Sequence, residues 1–240
     1  RKEFESTVSA QDAEQWVRQR RQGHWFERYQ DVYLAIEHGA QFIQQLELTQ
    51  LEMDSLADGV HKYTQTWFRL DQRYRKFIHH ARESGQASLL QGINHQVENL
   101  YTNNYLSRLN VRWQQFVDAC QRWEAPPVVS QPQFFPRFVR PYLERKSKVC
   151  VLISDGFRYE VGEELQSLIR REDRFDAELV PALTCLPSYT QLGMASLLPH
   201  QTLQLDEDGS GDALVDGINA TGSINRARIL INHYAELCDA

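Results

Sequence analysis

One stretch, Lys148-Val-Cys-Val-Leu-Ile-Ser-Asp155-Gly156-Phe-Arg158-Tyr-Glu160, decides which fold the sequence predicts. Its five consecutive apolar residues, 149–153, predict a strand that is buried on both faces, as in a parallel sheet. Helical spacing begins at Arg158. Because ligands bind beyond the carboxyl ends of strands in open α/β sheets, Asp155 is the first candidate for chemistry. The alternative is that Asp155 only caps the following helix, and spacing alone does not choose between the two.

Length and composition are typical of a folded protein with two domains. The chain has 240 residues, of which 42% are hydrophobic, enough for sizeable cores. No apolar run approaches the roughly 20 residues of a membrane helix, and no signal peptide is recognised. The four cysteines stand far apart, which predicts reduced thiols in a cytoplasmic protein. The chain begins with Arg and its last helical stretch looks unfinished, so we expect a piece of a longer protein.

Charge is distributed unevenly along the chain. Residues 149–240 hold only 6 of the 26 Lys and Arg residues but 15 of the 32 Asp and Glu residues. A carboxylate-rich domain suits metal binding better than direct contact with nucleic acid. The net acidity therefore weakens the hypothesis of a simple DNA-binding helical protein.

The first half of the chain has the pattern of amphipathic helices. Apolar residues recur at three- and four-residue steps within 24–46, 54–82 and 88–123, and a short basic helix precedes them. These segments predict an antiparallel helical bundle over residues 1–125. A segment rich in Pro and Phe, 126–147, follows as a linker that we expect to pack against the second domain, 148–240.

The second domain alternates between predicted strands and helices. A helix over 158–171 is followed by a short strand at 175–180, a loop at 181–187 and a helix at 191–198. This order predicts a parallel α/β sheet with right-handed crossovers. A hairpin of 202–205 with 213–215 and a last helix from Ser223 complete the pattern.

A second candidate site lies in Thr184-Cys185-Leu-Pro187-Ser188-Tyr-Thr190-Gln-Leu-Gly193-Met-Ala-Ser196-Leu-Leu198-Pro199-His200. Ser188 or Thr190 comes just before a helix, at the carboxyl end of a strand. A hydroxyl there meets unpaired backbone N–H groups and the positive end of the helix dipole, which favour phosphate and an alkoxide nucleophile. The alternative is an ordinary Ser or Thr helix cap.

These two stretches together closely resemble the PglZ domain. The segments that carry the resemblance are 154–160 and 186–200. PglZ domains are the alkaline-phosphatase-superfamily component of BREX phage-defence systems, and the similarity is greatest to the type 1 systems. The resemblance implies an α plus α/β fold, in which the helical bundle is followed by the first part of an alkaline-phosphatase-like domain with a mainly parallel sheet.

The resemblance also implies roles for particular residues. Asp155 corresponds to a metal ligand of the superfamily. Thr190 corresponds to the nucleophile, which is also a metal ligand, because it opens a helix six residues before Ser196-Leu-Leu. Ser188, Thr184 and Cys185 remain alternatives for the nucleophile. Arg158 and Ser188 are candidates for binding phosphate.

The activity implied is that of a phosphatase or phosphodiesterase with two divalent metal ions, Zn or Mn. Other BREX subunits are the implied partners, with DNA or a nucleotide as substrate and no membrane. One departure from the superfamily is that no Asp-His pair follows Thr190, since His200 and His233 are isolated. We therefore expect the chain to be inactive by itself. The competing hypothesis is a catalytically silent scaffold that docks other subunits of the defence complex.

Overall fold

The computed structural model describes residues 10–206 and 209–238, and these form two compact units. Residues up to 120 together with 158–177 form the first unit, and residues 121–157 together with 178 onward form the second. Residues 1–9 of the predicted bundle lie outside the described part of the chain. Among the described residues, none of the helices combines the length and the apolar character that crossing a membrane requires.

Helices make up most of the described structure. In chain order they are α1 (Ala10–Arg20), α2 (Gln30–Leu48), α3 (Leu56–Lys62), α4 (Phe68–Glu83), α5 (Ala87–Asn99), α6 (Ser107–Ala119), α7 (Arg140–Glu144), α8 (Tyr159–Ile169), α9 (Thr190–Ser196) and α10 (Ser223–Cys238). Two π-helical segments, Tyr63–Trp67 and Leu100–Leu106, join α3 to α4 and α5 to α6. The four helical stretches predicted from periodicity are therefore confirmed, while their antiparallel arrangement as a bundle stays a prediction.

The strands are short and belong to the second unit. They are β1 (Val129–Ser130), β2 (Ala182–Leu183), β3 (Leu203–Leu205), β4 (Ala213–Val215) and β5 (Ile218–Asn219). The β1 and β2 strands pair in parallel, and β3, β4 and β5 form an antiparallel sheet. The predicted hairpin is thus confirmed. A small parallel sheet is present, but no larger parallel sheet is found within residues 10–206 and 209–238.

The apolar run 149–153 is not a strand, contrary to the prediction. None of its residues pairs with another described strand, and Leu152 is 92% exposed. The segment 175–180 is not a strand either. An apolar run becomes a buried strand only when neighbouring strands satisfy its N–H and C=O groups, and the described residues supply none. The parallel pair that the described residues do form joins β1, inside the segment predicted as a linker, to β2, inside the segment predicted as a loop.

The core of the first unit contains a buried carboxylate held by three tyrosines. Asp71 is buried among the aromatic and aliphatic side chains that α2, α4 and α5 share. It accepts hydrogen bonds from the hydroxyls of Tyr63 at 2.6 Å, Tyr101 at 2.9 Å and Tyr105 at 3.3 Å. Burial, and then the charge of Asp71, raises the pKa of all three hydroxyls. They therefore stay protonated and keep donating at neutral pH.

Helix α8 belongs to the first unit, whereas the sequence places it with the α/β domain. The reason is electrostatic. The side chain of Glu160 is fully buried, and the guanidinium of Arg75 donates to both of its carboxylate oxygens at 3.0 Å. Next to this pair, Lys76 lies 2.7 Å from Glu164. A fully buried carboxylate that has neither a cation nor several hydrogen-bond donors would be strongly unfavourable, and the contact of α8 with α4 gives Glu160 its cation.

The second unit has its own small core around α9. Buried apolar residues from α9, β4, α10 and the loops beside them pack together there; they are Leu192, Ala195, Leu198, Ala213, Val215, Ala220 and Ile229. The tyrosine hydroxyl of Tyr189 donates to the carbonyl oxygen of Gly211 at 2.6 Å. Helix α9 is therefore held both by apolar packing and by a hydrogen bond just before its first residue.

We expect Gly39→Ala to destabilise the first unit. A Cβ at position 39 would lie 3.0 Å from Ile93 and 3.1 Å from the buried ring of Phe77, so one of them must move. The matched control is Gly92→Ala, which lies in α5, is exposed and meets no atom within 4 Å. Both changes gain helix propensity, so their difference isolates overpacking, about 1–3 kcal/mol in the free energy of unfolding. Chemical denaturation measures it, and equal effects of the two variants would contradict the packing argument.

We also expect the contact between α4 and α8 to weaken in acid. Burial alone would raise the pKa of Glu164, but the hydrogen bonds and charges of Lys76 and Arg75 lower it below the ordinary 4.5. A lowered folded-state pKa stabilises the protein above pH 4.5, and this contribution is lost as the pH falls through the folded-state value. Glu164→Gln should therefore lower the Tm near neutral pH and flatten its dependence on pH below 4.5.

The control for this prediction is Glu83→Gln, which removes an exposed carboxylate at the end of α4. Thermal unfolding followed by circular dichroism between about pH 7 and about pH 3.5 makes the comparison. If Glu164→Gln keeps the wild-type pH dependence, the ion pairs to Lys76 and Arg75 do not stabilise the folded state.

Candidate active site

The structure brings together the two residues that the sequence marks as first candidates. The hydroxyl of Thr190 donates a hydrogen bond to Oδ2 of Asp155, with 3.2 Å between the oxygens. The residues are 35 positions apart in the chain, and both are exposed within the second unit. A nucleophile candidate and a carboxylate therefore share one accessible surface position.

Asp155 lies in a turn and does not cap a helix. Helix α8 begins at Tyr159 with Arg158 as its N-cap, so Asp155 precedes the cap by three residues. Gly156 follows it with φ of +66°, a conformation that residues with a Cβ rarely adopt. The turn leaves the Asp155 carboxylate available for Thr190, and this observation removes the helix-cap alternative.

Thr190 is the first residue of α9. The N-cap is Tyr189, whose side chain makes no capping hydrogen bond, so neither Ser188 nor Thr190 serves as the ordinary cap that was the alternative. The buried residues Leu192 and Ala195 anchor the helix in the second core. The Thr190 hydroxyl is thus presented to solvent from a helix whose other face is packed.

The other nucleophile candidates differ in their surroundings. Ser188 is exposed two residues before Thr190. The hydroxyl of Thr184 donates to Oε1 of Gln131 at 3.1 Å. Burial raises the pKa of the Cys185 thiol, and the hydrogen bond with Ser196 only partly offsets this effect. Cys185 is therefore a poor source of thiolate at neutral pH, which disfavours it as the nucleophile.

Arg158, the candidate for binding phosphate, belongs to the first unit. It is exposed and forms the N-cap of α8. Its suggested role, and that of Ser188, stay predictions.

Asp155 and Thr190 fit a part of a metal-ligand set. Two oxygens 3.2 Å apart match the spacing of neighbouring ligands that each lie about 2.1 Å from one cation. A zinc or manganese ion needs at least four ligands. Over residues 10–206 and 209–238, no group of three His, Cys, Asp or Glu side chains could hold a metal ion. His200 contacts the carbonyl oxygen of Leu198 at 2.7 Å. The described residues therefore do not complete a metal site.

Sequence reasoning missed two residues beside this site. Gln131 and Trp123 lie in or just before the predicted linker, yet both contact the segment before Thr190. The indole N–H of Trp123 donates to the carbonyl oxygen of Thr184 at 2.5 Å, and the amide of Gln131 contacts Thr184, Cys185 and Gly193. Neither residue belongs to a recognisable motif, so the sequence carries no signal for them.

Comparison with known proteins agrees with the resemblance. Residues 134–238 match the family model described as the BREX system PglZ alkaline phosphatase-like domain. The alkaline phosphatase-like protein PglZ of Bacillus cereus (strain H3081.97) is 32% identical over 221 residues, which cover 90% of this chain and 26% of that protein. The alkaline phosphatase-like protein BrxZ of Escherichia coli O9:H4 (strain HS) is 36% identical over 245 residues, which cover 95% of this chain and 28% of that protein.

The chain thus spans about a quarter of the length of these curated relatives. No solved structure matches it significantly. Asp155 and Thr190 both fall inside the range that the family model matches. The similarity to the two relatives extends over most of the chain, and residues 134–238 belong to the family of PglZ alkaline phosphatase-like domains of BREX systems.

Proposed function

We propose that this chain is part of a metal-dependent phosphoryl hydrolase, a phosphatase or phosphodiesterase that serves a BREX anti-phage defence system. The observation that carries the proposal is the hydrogen bond between Thr190 and Asp155, inside a domain of the alkaline phosphatase-like family. A hydroxyl held by a carboxylate on an exposed surface is the arrangement that an attacking alcohol requires.

In the proposed reaction, Thr190 is the nucleophile. Its Oγ forms a bond to phosphorus while the bond from phosphorus to the leaving-group oxygen breaks, which produces a phosphothreonine. Water then cleaves the phosphothreonine and restores the hydroxyl. Asp155 accepts the hydrogen bond of the hydroxyl and so orients Oγ, whose proton passes to solvent while the leaving-group oxygen takes up a proton from solvent. Thr190 is the first residue of α9, where the positive end of the helix dipole would favour negative charge.

Metal binding belongs to the proposal as well. Members of the alkaline phosphatase superfamily generally use divalent metal ions, and Zn or Mn at this site would supply positive charge that favours the alkoxide and neutralises the phosphate. Asp155 and Thr190 would be two of the ligands. The remaining ligands would have to come from residues other than those described here.

The substrate and partners of the whole protein are part of the same proposal. Phosphomonoesters, nucleotides and DNA phosphodiesters all present the phosphorus centre that Thr190 would attack, and the assay below separates them. Other BREX subunits are the proposed partners, since residues 134–238 match the model of a BREX domain. The cytoplasm is the proposed location, because the four cysteines stand far apart and suit reduced thiols.

We expect Thr190→Ala to abolish metal-dependent hydrolysis in the full-length protein. Loss of a covalent nucleophile should lower kcat by about a thousandfold or more, because no other group replaces the attacking oxygen. The measurement is the release of product from a phosphomonoester and from a phosphodiester reporter, with Zn²⁺ or Mn²⁺ and with EDTA. EDTA should remove the activity of the wild type.

Cys185→Ala is the matched control, because Cys185 is a nucleophile candidate whose raised thiol pKa disfavours it, and this variant should stay active. Activity that survives Thr190→Ala would move the nucleophile to Ser188 or Thr184. Absence of turnover by the wild type with every metal and reporter would refute the hydrolase and favour the silent scaffold.

A further inference from the structure

Gln131 directly follows β1, one of the two strands of the small parallel sheet. Strand β1 ends at Ser130 and β2 ends at Leu183, and the two pair in parallel with Val129 opposite Ala182. Gln131 and Thr184 are therefore the next residues beyond the carboxyl ends of neighbouring parallel strands. This edge is the place where open α/β sheets collect their functional groups.

The side-chain amide of Gln131 makes three hydrogen bonds to one segment of the chain. Its Oε1 accepts from the hydroxyl of Thr184 at 3.1 Å and from the backbone N–H of Cys185 at 3.2 Å. Its Nε2 donates to the carbonyl oxygen of Gly193 at 3.3 Å. One amide thus uses both of its ends, and it bridges two points that are eight residues apart or more.

The bridged segment carries the candidate nucleophile. Thr190 lies between the two attachment points, five residues after Cys185 and three residues before Gly193. The three residues between Cys185 and Tyr189 are exposed, while Cys185 and Tyr189 themselves pack against the second core. The Gln131 amide adds a polar restraint to this packing, and the indole of Trp123 adds another through the carbonyl oxygen of Thr184.

We propose that Gln131 is a positioning residue, which holds the segment 184–193 so that the Thr190 hydroxyl stays within hydrogen-bond distance of Asp155. The part of this inference that concerns catalysis rests on the proposed function. Gln131 lies before the range that the family model matches, so the segment before that range contributes to the site.

The amide group suits this task because it accepts at one end and donates at the other. Glutamate in its place keeps an oxygen that accepts from Thr184 and Cys185, but it loses the donor for Gly193. Leucine loses all three hydrogen bonds at nearly unchanged volume. The two substitutions therefore separate the upstream attachment from the downstream one.

The first test does not depend on any enzymatic activity. Cys185 is half-buried and Cys150 is exposed, so the alkylation rate of Cys185 relative to Cys150 reports how firmly the segment is held. The measurement is labelling by iodoacetamide in the full-length protein, resolved for each cysteine by mass spectrometry of peptides. Gln131→Leu should raise the relative rate at Cys185 about fivefold or more, because two hydrogen bonds at this end are lost.

Gln131→Glu should leave the labelling rate of Cys185 close to that of the wild type. Gln121→Leu is the matched control, because Gln121 is an exposed glutamine of the same unit, and it should change nothing. Where Gln131→Leu fails to fold, Thr184→Val removes one bond of the same restraint at an exposed position and should raise the rate in the same direction. An unchanged rate at Cys185 in folded Gln131→Leu, or in Thr184→Val when it is the variant used, overturns the proposal.

The second test measures hydrolysis by the same full-length variants. Gln131→Leu should lower kcat about ten- to a hundredfold while KM of the reporter changes by less than about twofold, because a displaced nucleophile still allows substrate to bind. If Gln131→Leu keeps the kcat of the wild type although its Cys185 is labelled faster, the positioning role is refuted. If the wild type hydrolyses no reporter, the proposed function fails, and the labelling result still decides whether Gln131 holds the segment.

Discussion

The buried carboxylate of Glu160 is the constraint on which the division of the chain into two units depends. A carboxylate without any exposed surface is stabilised by a cation in contact with it. Arg75 is that cation, and its guanidinium donates to both carboxylate oxygens of Glu160. Because Arg75 lies on α4, the helix that begins at Tyr159 has to pack on α4. The chain therefore enters the first unit at residue 158 and returns to the second at 178. The turn that carries Asp155 belongs to the second unit and lies just before residue 158, where the chain enters the first unit.

A second buried carboxylate imposes a similar constraint inside the first unit. Asp71 accepts from three phenolic donors and forms no ion pair within residues 10–206 and 209–238, so hydrogen bonds compensate its burial. Tyr63 lies in the π-helical segment between α3 and α4, and Tyr101 and Tyr105 lie in the one between α5 and α6. The wider turns change which side chains face the core, and they bring all three hydroxyls to one carboxylate. Polar contacts of this kind specify the packing of helices that apolar surfaces alone would allow to slide.

The candidate site depends on weaker contacts than either core does. Its hydroxyl and carboxylate are exposed, and the polar contacts of the segment that carries Thr190 include three hydrogen bonds of Gln131 and one each of Trp123 and Tyr189. Such contacts position a side chain without burying it, which leaves it accessible to solvent. The apolar residues 149–153, which end two positions before Asp155, are also exposed in this structure.

The sequence by itself determined the helices, the hairpin and the identity of the two main site candidates. Helical periodicity and turn chemistry act between residues close in the chain, so they can be read without a partner, and the motifs around Asp155 and Thr190 carry the family resemblance. Only the tertiary structure decided that 149–153 pairs with no described strand, that β1 pairs with β2, that α8 joins the first unit, and that Gln131 contacts the segment that carries Thr190. Each of these results depends on whether a hydrogen bond or ion pair forms between residues distant in sequence, for which no local pattern exists.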